Sequence, residues 1–289
     1  MRLQESLTVP GGKLVYAEYG DLAGKPILYC HGWPGSRLQA RLTDEPAASL
    51  GLHIIAPDRP GMGRSTCIDD RRVLDWPDHV SHLLDHLGVD SFGVLGVSGG
   101  APYALACASA LPDRVSMIQI CSGVPRHDWL HRSENPALRY RFARFLTSTS
   151  TVNRGALLSL FKGFIRTTPA SLFVRTARLV LPSCDQRALR DRAVRAAVLQ
   201  SMREAFQGPV RGLSRDLVLL TSPWGFEFSE IAAKVRYWHG GSDYLCPMEQ
   251  IEATVNELPN ATLKRLPDLG HYSLPVAMRG EILRALSDS

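Results

Sequence analysis

The stretch GVLGVSGGAPYALACA, residues 93–108, places one serine among glycines, between an apolar run and a run of small residues. Gly96, Ser98 and Gly100 fit the pattern G-x-S-x-G. The apolar run FGVLGV predicts a buried strand before the serine, and APYALACASA predicts a helix after it. A serine on a sharp turn from strand to helix is a typical nucleophile. The stretch therefore predicts that Ser98 attacks a substrate.

The flanking glycines have a steric role in this interpretation. A turn of this kind forces the serine backbone into a strained conformation, and residues without a side chain leave room where the helix crowds the strand. The start of the helix also points free N–H groups toward the place where negative charge would develop.

Strands and helices alternate through most of the chain. A hairpin is predicted first, with SLTV and KLVYAEYG around a Pro-Gly-Gly turn. Further strands are predicted in KPILYCHG, GLHIIAPDRPG, FGVLGV, RVSMIQICSG, KVRYWHGG and ATLKRLPDLG, and the first helices in RLQARLTDEPAASLG and WPDHVSHLLDHLG. This alternation predicts an α/β fold with a mostly parallel central sheet flanked by helices.

The rhythm changes to helical periodicity between residues 125 and 228, for example in DQRALRDRAVRAAVLQSMREAF. We expect an all-helical cap over residues 125–228, inserted into a core made of residues 1–124 and 229–289. Basic residues outnumber acidic ones in this span. Its arginines are explained by the solvated faces of amphipathic helices, or by attraction of anionic substrates or surfaces.

Composition excludes several classes of protein. The 289 residues are 45% hydrophobic and 21% charged, which is typical of one elaborated globular domain. No signal sequence or transmembrane segment is apparent, and no arginine-aromatic interleaving points to nucleic acid. Six cysteines without paired spacing indicate reduced thiols, so we expect a cytoplasmic protein. The sequence predicts no oligomeric state.

Four motifs together resemble the α/β-hydrolase fold superfamily over nearly the whole chain. HGWPGS, residues 31–36, resembles the family's oxyanion loop, and DRPGMGRS, residues 58–65, resembles a sharp architectural loop. HGGSDYLCP, residues 239–247, and GHYS, residues 270–273, resemble the acid and histidine loops. The resemblance implies a catalytic triad of Ser98, Asp243 and His271. It also implies an oxyanion hole made by the backbone N–H groups of Trp33 and Gly99.

The positions of the acid and the histidine agree with this assignment. Both follow strand-like runs, and the chain order Ser98, Asp243, His271 is the order expected of this fold. His271 would accept the serine proton and Asp243 would fix its tautomer. Asp58 is an alternative acid, although its Asp-Arg-Pro-Gly context is typical of a turn. Neither a cofactor nor a metal ion is expected.

A serine nucleophile indicates acyl transfer. Haloalkane dehalogenases and epoxide hydrolases of this fold use aspartate instead, and the proline iminopeptidase loop H-G-G-P-G has glycine where Trp33 stands. We therefore expect a carboxylesterase-type enzyme that cleaves esters of small to medium apolar acids through an acyl-enzyme. The alternatives are a carbon–carbon bond hydrolase of the β-diketone type and a small-molecule receptor with residual hydrolase activity. The cap phenylalanines, Phe142, Phe145, Phe161, Phe164 and Phe173, indicate either an apolar ceiling over the site or packing in a helical core, which is the more common role of aromatic residues at helical spacing.

Overall fold

The computed structural model describes residues 1–126, 145–177 and 179–288. Eight strands of the described residues form one sheet in the order β1-β2-β4-β3-β5-β6-β7-β8. Only the pairs β1–β2 and β2–β4 are antiparallel. The strands are β1 Arg2–Val9, β2 Gly12–Gly20, β3 Lys25–Cys30, β4 Leu52–Pro57, β5 Phe92–Val97, β6 Val115–Cys121, β7 Lys234–Gly240 and β8 Ala261–Leu266. The predicted α/β fold with a mostly parallel sheet is confirmed, and so is the N-terminal hairpin.

Helices connect most of the parallel strands. In chain order the α-helices of the described residues are α1 Asp44–Ser49, α2 Trp76–His86, α3 Ala101–Ala110, α4 Thr151–Thr167, α5 Ala170–Ala177, α6 Ser183–Ala188, α7 Arg192–Ala205, α8 Val210–Leu220, α9 Met248–Asn256, α10 Ser273–Ala277 and α11 Arg279–Ser287. None of these helices has both the length and the apolar composition that a membrane span needs.

One predicted helix is wrong in its extent. The stretch RLQARLTDEPAASLG forms a 3₁₀ segment, Arg37–Thr43, followed by the short helix α1. Pro46 lies in the first turn of α1. Proline lacks an N–H group and is tolerated only near a helix start, so the α-helix begins just before it.

Both faces of the sheet are covered, as expected for parallel strands. Alternate residues of a strand point to opposite faces. Leu28 and Val94 pack in the core cluster that includes residues of α2 and α3, whereas Ile27 and Leu95 pack in the cluster that includes residues of α11. Strands buried on both sides explain the continuous apolar runs in the sequence.

The regular elements that the structure describes between β6 and β7 are all helices, including α4 to α8. Buried charged residues connect these helices to the rest of the fold. Asp216 on α8 accepts hydrogen bonds from Arg59 Nη2 at 2.8 Å, Arg71 Nη2 at 2.5 Å and Tyr103 Oη at 2.5 Å. Burial raises the pKa of Asp216, but the two guanidinium groups lower it by more, so this pKa lies well below its ordinary value. The carboxylate is therefore ionised within the protein interior.

A second buried cluster involves α7. Glu204 on that helix forms an ion pair with Arg37 at 2.8 Å and another with Arg64 at 2.8 Å. The Arg37 guanidinium also donates to the Asp58 carboxylate. The same carboxylate accepts the backbone N–H of Arg37 at 2.7 Å and the backbone N–H of Arg64 at 3.1 Å. Asp58 thus binds a backbone N–H group of its own loop and also binds Arg37. These contacts agree with the interpretation of Asp58 as a turn residue.

Replacing Asp216 with alanine tests the first cluster. Removing one partner of a buried ionic network leaves uncompensated charge, so we expect Asp216→Ala to lower the free energy of unfolding by about 3–5 kcal/mol. Asp69 is the control, because it pairs with Arg211 of the same helix at an exposed position. Urea unfolding of Asp69→Ala should resemble that of the native protein. A native-like unfolding midpoint for Asp216→Ala would contradict this account.

Candidate active site

Ser98 lies on the turn between β5 and α3, and its backbone is strained. Its φ of 52° is in the left-handed region that side chains rarely adopt. A Cβ atom at Gly96 would lie 3.0 Å from Ala104 Cβ, and one at Gly100 would overlap the carbonyl oxygen of Cys30. The glycines therefore have the steric role expected from the sequence.

The structure brings Asp243 and His271 to Ser98 at the carboxyl edge of the sheet. Asp243 follows β7 and His271 follows β8. His271 Nε2 lies 2.9 Å from Ser98 Oγ, and His271 Nδ1 lies 2.8 Å from Asp243 Oδ2. The three side chains form one hydrogen-bonded chain from carboxylate to hydroxyl, although they come from three separate parts of the sequence.

The second oxygen of Asp243 is fixed by the backbone. Oδ1 accepts the N–H of Leu245 at 2.8 Å and the N–H of Cys246 at 3.0 Å. Burial raises the pKa of Asp243, but the neighbouring His271 and the hydrogen bonds lower it, so the net shift is downward. An ionised Asp243 accepts a hydrogen bond from the Nδ1–H group of His271, which leaves the Nε2 lone pair of His271 facing Ser98.

The pKa of His271 is shifted in the opposite direction. Burial lowers it, but the negative charge of Asp243 and the hydrogen bond to that carboxylate raise it above 6.5. An imidazolium is thus stabilised at this position, which is what a group that receives a proton requires.

The backbone of Trp33 lies beside the turn. A Cβ atom at Gly99 would lie 3.2 Å from the Trp33 nitrogen, and one at Gly32 would lie 3.2 Å from Ser98 Cβ. Within the part of the chain that the structure describes, the Trp33 N–H group has no hydrogen-bond partner. Gly99 is in the first turn after the strand, where N–H groups have no partner within a helix. Two backbone donors are therefore available next to Ser98.

Arg59 supports this loop, a role that the sequence analysis missed. Its guanidinium donates to the carbonyl oxygens of His31 and Gly32 and also binds Asp216. The indole N–H of Trp33 donates to the Leu213 carbonyl of α8 at 3.0 Å. The Asp-Arg-Pro-Gly signature indicates a turn but not the partner of its arginine, because that partner is 157 residues away.

A cavity of about 100 Å³ opens onto Ser98 and His271. Its apolar walls come from the loop after β3, from α7 and from the C-terminal helices, and include Leu42, Val198, Met202, Val276, Ile282 and Leu283. Apolar side chains and the Ser98 hydroxyl therefore line the same small cavity.

Of the two alternatives for the cap phenylalanines, the apolar ceiling is not formed by the described residues. Phe145 and Phe164 are 53% and 39% exposed. Phe161 packs on Phe206, with ring centroids 5.6 Å apart, and Phe173 packs in the clusters between helices. None of these four lines the cavity. Helical spacing groups side chains on a face but does not say what that face packs against; Phe142 lies outside the described residues.

Asp243, Cys246 and His271 lie close enough together to suggest a metal site. Their chemistry does not fit one. Burial raises the pKa of the Cys246 thiol well above its ordinary value, which disfavours the thiolate form that metals bind. The other two side chains are already hydrogen-bonded to each other.

Comparison with known proteins decides the family. A family model of the alpha/beta hydrolase fold matches residues 25–277. The chain belongs to this family. The resemblance drawn from the sequence motifs is thereby confirmed.

Individual relatives differ in how much of their length matches this chain. The uncharacterized hydrolase YcgS of Bacillus subtilis is 33% identical over 129 residues, 45% of this chain and 44% of that protein. A pimeloyl-(acyl-carrier protein) methyl ester esterase of Aromatoleum aromaticum is 28% identical over 251 residues, 85% of this chain and 90% of that protein. The chain spans less than half of the length of the first curated relatives that it matches.

The solved structure of an esterase from Thermogutta terrifontis has a TM-score of 0.69 and 20% identity. The match covers 99% of this chain and 97% of that one. This likeness supports the same fold.

The pKa of His271 can be measured directly. We expect the His271 pKa to lie above that of an ordinary histidine in the native protein and to fall in Asp243→Asn, because burial is then no longer opposed by the Asp243 carboxylate. An NMR titration of the imidazole resonance, assigned with His271→Gln, measures both values. Asp268→Asn is the control, since Asp268 is exposed and lies in the loop of His271. An unchanged His271 pKa in Asp243→Asn would contradict the electrostatic assignment.

Proposed function

We propose that this protein is a serine hydrolase that cleaves carboxylic esters of small to medium apolar acids. The observation that carries the proposal is the hydrogen-bonded chain from Asp243 through His271 to Ser98, with its hydroxyl end in an apolar cavity. A serine hydroxyl is a weak nucleophile and needs a base within hydrogen-bond reach. His271 at 2.9 Å meets that requirement.

The first half of the reaction forms an acyl-enzyme. Ser98 Oγ attacks the ester carbonyl carbon while its proton passes to His271 Nε2. The carbonyl oxygen becomes an oxyanion held by the N–H groups of Trp33 and Gly99. His271 then gives the proton to the leaving alkoxide, the carbon–oxygen bond breaks, and an alcohol departs. Asp243 stabilises the imidazolium between these two steps.

The second half returns the enzyme to its starting state. A water molecule gives a proton to His271 and attacks the acyl carbon, and the second oxyanion is held by the same two donors. The bond to Ser98 Oγ breaks, the serine regains its proton from His271, and the acid leaves. No cofactor is needed to balance these steps.

The cavity supports the choice of acid. Its volume of about 100 Å³ and its aliphatic walls suit a short, unbranched or modestly branched acyl chain. Ala197, Val198, Ser201 and Met202 of α7 form one side of it. We therefore propose that residues 125–228 act as a cap that limits which esters reach Ser98, over a core of residues 1–124 and 229–289.

Hydrolysis of p-nitrophenyl esters of increasing chain length tests the proposal. We expect turnover to be highest for short to medium chains, and we expect Ser98→Ala to lower kcat/KM by about 10³-fold or more, because the acyl-enzyme cannot form. Ser159→Ala is the matched control, since this hydroxyl is exposed on α4 and donates to Gly155. It should keep the native rate.

Three outcomes would overturn the proposal. Full activity in Ser98→Ala would remove the nucleophile from the account. Cleavage of β-diketones without any ester turnover would favour carbon–carbon hydrolysis. Tight binding of a small ester with no turnover at all would favour a receptor.

A further inference from the structure

Helix α6 brings a buried carboxylate to the loop that carries His271. Asp185 Oδ2 accepts the His271 N–H at 3.0 Å. Oδ1 accepts the Tyr272 N–H at 3.1 Å, the Ser273 N–H at 2.8 Å and the Ser273 hydroxyl at 2.8 Å. The side chain has no exposure to solvent. One carboxylate thus binds three consecutive backbone N–H groups, beginning with that of His271.

The loop is shaped to receive this carboxylate. A Cβ atom at Gly270 would lie 2.6 Å and 2.7 Å from the two oxygens of Asp185. Glycine immediately before His271 therefore permits the approach. The Gly270 N–H donates to the Ser273 hydroxyl at 2.8 Å, so the same serine closes the loop from its other side.

The His271 side chain can be displaced very little before it loses its hydrogen-bond partners. Its two ring nitrogens must reach Ser98 and Asp243 at once, at 2.9 Å and 2.8 Å. A misplacement of about 1 Å in a reacting group can cost about 100-fold in rate. A buried carboxylate is retained only when it is fully hydrogen-bonded, and this one is bonded almost entirely to the histidine loop.

We propose that Asp185 is the positioning residue for His271, so that helix α6 sets the orientation of the catalytic base. The proposal rests on the proposed function, in which His271 is that base. Asp185 does not touch the substrate. Its contribution is to hold the backbone from which the imidazole extends.

The charge of Asp185 also acts on the imidazole. The titratable groups around His271 are Asp243 and His239 from the end of β7, the protonated Cys246 thiol, the neighbouring Tyr272 and Asp185 itself. Burial lowers the pKa of His271, whereas Asp243 and, to a smaller extent, Asp185 raise it. Removing the Asp185 charge should therefore shift this pKa downward.

Two substitutions test the role by different routes. In Asp185→Asn the amide has one acceptor oxygen fewer, and its NH₂ group faces a backbone donor. We expect kcat for a p-nitrophenyl ester to fall about 10- to 100-fold with little change in KM, and the His271 pKa to fall. Gly270→Ala keeps the charge but displaces the carboxylate from the loop. We expect a similar loss in kcat for that variant.

Glu204→Gln is the matched control, because it removes a buried carboxylate from the neighbouring helix α7 without contacting the histidine loop. It should lower stability and leave kcat per folded molecule and the His271 titration as in the native protein. Circular dichroism gives the folded fraction for each variant. If Asp185→Asn does not fold, Gly270→Ala decides the question.

Failure of this proposal can be told apart from failure of the proposed function. Ester hydrolysis that survives Ser98→Ala would overturn the function, whereas the NMR titration of His271 still reports on Asp185. A folded Asp185→Asn or Gly270→Ala protein with native kcat and a native His271 titration would overturn the positioning role.

Discussion

The left-handed backbone of Ser98 is the constraint on which the rest of the site depends. A serine at a φ of 52° persists only where its surroundings leave no alternative. Here Gly96 lies against Ala104 of α3 and Gly100 lies against the Cys30 carbonyl at the end of β3, so neither position has space for a side chain. This packing points the Ser98 hydroxyl outward at the carboxyl edge of the sheet, where the loops after β7 and β8 can reach it.

Buried charged residues connect this edge of the sheet to the helices between β6 and β7. Arg59 links the loop of His31 and Gly32 to Asp216 on α8, and Asp185 on α6 links a second helix to the loop of His271. An unpaired charge in a protein interior is costly in free energy. Each of these buried charges therefore keeps its partners within hydrogen-bonding distance. Two of the helices between β6 and β7, α6 and α8, are therefore fastened to the loops that surround Ser98.

The sequence could predict that Ser98, Asp243 and His271 lie together because of a property of parallel sheets. Ser98, Asp243 and His271 each follow a strand, and the carboxyl ends of parallel strands lie along one edge. The role of the glycines around Ser98 and the alternation of strands and helices could be predicted from local patterns alone. Asp185 gave no such signal, since an acidic residue in the first turn of a helix is common and its partners lie 86 to 88 residues away. The sequence left two alternatives for the cap phenylalanines for a related reason, because periodicity does not identify the packing partner.

The central claim is that His271 and Asp243, at the carboxyl edge of the sheet, activate Ser98 as a nucleophile. Labelling with a fluorophosphonate tests this claim most directly. This reagent forms a bond to a serine oxygen only when a base removes the proton, so peptide mapping by mass spectrometry locates the activated residue. The account predicts one label, on Ser98, at a rate that falls sharply in His271→Ala. Absence of labelling in the folded native protein, or a label on another serine, would contradict it.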